Sequence, residues 1–99
     1  MSTQLINPVL RGNLLNIHEK ITDLRPSFPH LQMLQQQIQK AFFLIKESKS
    51  VESEKMFALF GEIDARGVGS YDEDVFIYVQ KEALSILSAV LGNELVRPA

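Results

Sequence analysis

The sequence predicts an all-α fold, a small antiparallel bundle of about four helices over residues 8–24, 29–47, 51–64 and 71–92. Three observations lead there. Apolar residues recur at helical, largely heptad, spacing through these segments, the repeat of one helix face. Turn-forming residues, Pro26, Pro29, Gly67 and Gly69, separate them. Finally, a chain of 99 residues that is 45% hydrophobic and 22% charged suits one domain around one core. That single helical domain covers 1–99, with 94–99 as a short C-terminal tail.

The first helix opens on Asn7 as N-cap and Pro8 at the first helical position, where the missing N–H costs nothing. Leu10, Leu14, Ile17, Ile21 and Leu24 form its apolar stripe. Pro26 ends it, because the residue before a proline disfavours helical dihedrals. The stiff turn Arg25-Pro26-Ser27-Phe28-Pro29 leads into the second helix, which begins near Ser27 or Pro29. Its stripe is Leu31, Leu34, Ile38, Ala41 and Ile45, opposite a glutamine-rich surface of Gln32, Gln35, Gln36, Gln37 and Gln39. The pattern fails over Lys46-Glu47-Ser48-Lys49-Ser50, where a bend or short loop is expected, with one unbroken long helix as the alternative.

The third helix carries Met56, Leu59, Phe60 and Ile63, with Glu52 and Glu54 favourably near its positive end. Asp64-Ala65-Arg66-Gly67-Val68-Gly69 reads as a loop in which Gly67 terminates that helix. Ser70-Tyr71-Asp72-Glu73 matches a capping box for the fourth helix. That helix runs through Phe76, Val79, Ala83, Ile86 and Val90 and is expected to stop at Gly92-Asn93. Val75 to Val79 alone would read as a strand; the cap before it and Gln80–Leu91 after it favour helix.

Composition excludes several function classes. There is no cysteine, hence no disulfide, thiolate catalysis or cysteine zinc site. No apolar run reaches the about 18 residues a membrane-spanning helix needs. The first residues do not read as a signal peptide, so a cytoplasmic protein is expected. A net charge of −2 argues against nucleic acid as a partner. Residues 1–50 nevertheless carry six Lys/Arg and three Asp/Glu, a net +3, whereas 51–99 carry four and nine, a net −5. The acidic residues between 62 and 74 form a patch suited to a basic surface on a partner. The basic half keeps nucleic acid open as a further alternative.

Two segments exceed what one buried stripe requires. Phe42-Phe43-Leu44-Ile45 and Val75-Phe76-Ile77-Tyr78-Val79 are unbroken apolar runs. Residues on a helix step by about 100°, so each run wraps most or all of the circumference. A chain this short has too few elements to surround both. Some of Phe42, Phe43, Leu44, Ile77 and Tyr78 should therefore be exposed and available to a partner.

The sequence accordingly points to a non-catalytic protein–protein interaction module: a regulator, inhibitor or adaptor that occludes another protein, or a homodimer. The expected contacts are Phe42, Phe43, Leu44, Ile77 and Tyr78, with Glu62, Asp64 and Asp72 as acidic rim. No cofactor is called for. His18 and His30 have neither metal-ligand spacing nor a serine–acid set beside them in sequence.

The segment from Met56 to Leu87 is similar in outline to an EF-hand, with Phe60, Ile63, Asp64, Gly69, Tyr71 and Phe76 at that family's positions. The resemblance implies a metal- or ligand-binding loop over 64–75. Arg66, Val68 and Val75 stand where ligands belong, and sliding the frame to end on Glu73 puts Arg66 at another ligand position. In size and fold class alone the chain is also similar to bacteriocin immunity proteins, secretion chaperones and phage-encoded inhibitors; known immunity bundles tend to be basic, unlike this chain.

Overall fold

The computed structural model describes residues 8–48, 50–66 and 71–96. Within them lie four α-helices: α1 (Pro8–Asp23), α2 (Phe28–Ile45), α3 (Val51–Arg66) and α4 (Glu73–Val96). A single 3-10 turn, Lys46–Ser48, follows α2. The expected roles of Asn7, Lys49, Gly67, Val68, Gly69, Ser70 and Pro98 lie outside the described residues.

Several helix ends have a local cause. Leu24 N–H donates to the Ile21 carbonyl at 3.2 Å as α1 closes ahead of Pro26. Ser27, extended at φ −167°, caps α2 by accepting from His30 N–H. His30 returns the favour to the turn: its Nδ1 accepts from Arg25 N–H at 2.8 Å. Ser50 caps α3. Its Oγ accepts from Ser53 N–H at 3.2 Å, and its carbonyl accepts from Ser53 Oγ at 2.8 Å.

Several boundaries differ from the sequence expectation: α2 stops at Ile45, and α3 runs on to Arg66, so Asp64, Ala65 and Arg66 are helical and not loop. Tyr71 and Asp72 are not helical; Asp72 is the cap of α4, its Oδ1 accepting from Asp74 N–H at 2.9 Å and Val75 N–H at 3.3 Å. At its other end α4 passes through Gly92-Asn93 and continues to Val96. Glycine permits a left-handed stop but does not impose one, and inside a helix it costs only about 1 kcal/mol relative to alanine.

The helices form a ring in which α1 packs on α2, α2 on α3, α3 on α4 and α4 on α1. Across the diagonals, α2 touches α4 slightly and α1 does not reach α3. The inward stripes meet in one core. Leu14, Ile21, Leu34, Ile38, Met56, Phe76, Val79, Leu87 and Leu91 are its fully enclosed side chains. Val75 to Val79 is helical, and only Phe76 and Val79 of that run are buried in the core. No helix among the described residues is long and apolar enough to cross a membrane.

Candidate functional site

The apolar excess noted in the sequence emerges at two separate places. On α2, Phe43 is 52% exposed, while Phe42 and Leu44 are half-buried. On α4, Ile77 is 45% and Tyr78 54% exposed. These groups do not meet. α2 and α4 are diagonal in the ring, and the two sites lie toward opposite ends of it. Leu44 shares a depression with Leu10, Glu52 and Val90, which places it at the α2–α3 turn end. Gln80, just after Tyr78, bonds the last carbonyls of α1 at the other end.

The α2 group gains a member that the sequence reading did not single out. Phe57 of α3 is 58% exposed, and its ring centroid is 5.2 Å from that of Phe42. Phe42 is in turn 5.8 Å from Phe43. The three rings thus run unbroken across the α2–α3 seam. Lys46 Nζ lies 4.8 Å from the Phe43 centroid, a cation–π contact that leaves the ammonium at the edge of the patch. A signal for Phe57 did exist: it stands beside Met56 yet off the stripe of Met56, Leu59 and Ile63. A large aromatic placed off the core stripe has to face outward.

On its other side Phe43 borders a groove of about 390 Å³ between α1 and α2. Ile17 and Leu44 supply apolar wall. Asn13, Asn16 and Gln37 supply amides, and Lys20 and Lys40 the charge. The α2 crest therefore separates an amide- and lysine-lined groove from an aromatic seam.

The acidic residues have a different setting. Glu62 and Asp64 are exposed on α3, and Glu62 borders a shallow hollow with Ala58, Gly61 and Ala65. Asp72 is exposed and serves as the α4 cap. Glu73 and Asp74 occupy the first turn of that helix, where its dipole favours negative charge. Among the described residues no three His, Asp or Glu side chains are grouped to hold a metal ion. The middle of the EF-hand-like loop lies outside the described residues.

Tyr71 packs beside this turn, its ring edge-on to Phe76 with centroids 6.5 Å apart. Partial burial, with the Glu73 and Asp72 carboxylates, raises its phenol pKa above the ordinary value of 10.0.

One pairing was invisible in sequence: Ser88 Oγ lies 3.5 Å from His18 Nε2. That is the outer limit of a hydrogen bond. Ser88 also sits inside α4, where backbone N–H groups are committed to the helix and do not offer an oxyanion site.

No protein-family model matches the chain, and neither does any curated protein or any solved structure.

Proposed function

We propose that this chain is a small non-catalytic protein–protein interaction module. It acts as a regulator, inhibitor or adaptor that covers a partner's surface with the exposed face of α2 and α3. The observation supporting this is the run of three touching rings, Phe43, Phe42 and Phe57, whose outer two are each more than half in water. Full burial of a phenylalanine contributes roughly 1.5–3 kcal/mol. The exposed part of each ring therefore leaves on the order of 1 kcal/mol to be gained on contact. Aromatic centres with a polar surround are the usual anatomy of an interface. Here Lys46, Gln36 and Gln39 supply the surround, whereas Gln37, expected on the α2 surface, is buried.

The test uses the full chain as bait, with Phe43→Ala, Phe57→Ala and a control, Met33→Ala, which removes an exposed apolar side chain elsewhere on α2. The expected result is native helicity in all three and loss of a co-purifying partner only in the first two. Unchanged retention by both phenylalanine variants would sink the reading, as would loss of their helicity, since the rings would then be structural.

A further inference from the structure

We propose that the occupant of the α2–α3 face is a second copy of this chain, the two copies related by a two-fold axis running along the α2–α3 seam. This rests on the reading of that face as a docking surface and names what docks there. With such an axis, α2 of one copy lies over α3 of the other at the same height along the bundle.

The chain's own contacts fix that height. Phe42 and Phe57 touch across the seam. Lys46 follows Phe42 by four residues on the way out of α2, and Glu54 precedes Phe57 by three on the way into α3. The two helices are antiparallel, so both steps lead toward the same end by about one helical turn, roughly 5 Å. The axis therefore sets Lys46 of each copy opposite Glu54 of the other, and the contact is made twice. Within the described residues neither side chain forms an ion pair; the Lys46 ammonium rests only against the Phe43 ring.

The remainder of the face is self-complementary in the same sense. Beyond the rings, α2 presents the long exposed side chains of Gln36 and Gln39. α3 presents Ala58, Gly61 and Ala65, and a Cβ added at Gly61 would meet nothing within 4 Å. A two-fold contact sets the long side chains of one copy over the small residues of the other. Phe43 and Phe57 from both copies then make a four-ring centre, with the lysine–glutamate pairs at its rim.

Sedimentation equilibrium on the full chain tests this, with circular dichroism as the check on folding. The wild type should show a monomer–dimer equilibrium. K46E opposes carboxylate to carboxylate and E54K opposes ammonium to ammonium. Each should raise the dissociation constant about tenfold, and the double variant K46E/E54K should return it to within about threefold of wild type. F57A removes a ring from both copies and should raise it by about thirtyfold. A wild type that is monomeric at its highest soluble concentration overturns the proposal, as does a dimer indifferent to these changes or a double variant no better than the singles. A monomeric wild type leaves the docking surface to its co-purification test, whereas loss of helicity in both F43A and F57A removes surface and dimer together.

Discussion

Gln80 holds the end of α1 from more than fifty residues away in the chain: its Nε2 donates to the Ile21 carbonyl at 2.8 Å and to the Leu24 carbonyl at 3.0 Å. The last carbonyls of a helix lack regular intrahelical donors; Leu24 N–H already reaches the Ile21 carbonyl, so the amide adds a second donor there and supplies one to the Leu24 carbonyl. Tyr71 is the other residue whose setting has a measurable consequence. An acid with a raised folded-state pKa favours the protonated fold. Its contribution is fully present below the unfolded-state value and is lost as pH climbs through the folded-state one. Stability should therefore be insensitive to Tyr71 near neutrality and fall above about pH 10. Urea midpoints measured across that range should drop less steeply for Tyr71→Phe than for wild type; identical alkaline slopes would refute the assignment. Sequence legibility at this scale follows distance along the chain. The start of α2 near Ser27 or Pro29 could be read from the two prolines of that turn, but the capping role of Ser27 could not. The Ser50–Ser53 pair is equally local, yet Ser50 closes a stretch whose only sequence signal is a failed heptad. Gln80 and the approach of Ser88 to His18 join α4 to α1, and no local pattern encodes them.

The helices themselves were legible because core burial imposes its period on the sequence. Leu14, Ile17 and Ile21 in α1, and Leu34, Ile38 and Ala41 in α2, are inward where the stripe puts them. Their ends were less so, since a boundary is decided by one or two hydrogen bonds. Asp72 sets the start of α4 by accepting from Asp74 N–H and Val75 N–H. The glycines inside helices make a testable case. Gly12 and Gly61 both have open space where a side chain would begin. Gly12→Ala and Gly61→Ala should each stabilise the folded monomer by roughly 0.5–1 kcal/mol, read as raised thermal midpoints in dilute solution. A destabilised Gly12→Ala would mean that α1 bends there. If a second copy covers α3, Gly61→Ala alone should also weaken association, because its methyl group intrudes on the facing helix.

At the scale of the whole molecule, the order of helices around the ring decides which exposed residues can act together. Heptad spacing says which face of each helix turns inward but not which helix stands beside which. That is why Phe43 and Ile77 could be recognised as surplus, while their separation and the arrival of Phe57 could not. The opposite charges of the two halves now have a location as well. The basic half forms the α1–α2 hairpin and the acidic half the α3–α4 hairpin, so the α2–α3 seam is a boundary between signs. The ring also has a kinetic consequence. Three of its seams join helices adjacent in sequence, and the fourth, α1 with α4, joins the two outermost helices across the longest loop. Local seams should form first and this one last. Gln80 crosses it, so Gln80→Ala should hasten unfolding by about tenfold, from the loss of roughly 1–2 kcal/mol of hydrogen bonding, and leave the folding rate nearly unchanged. Stopped-flow rates against denaturant will read this directly. A slowed folding limb would place the α1–α4 seam in the nucleus instead, making the closure of the ring the event that commits the chain to fold.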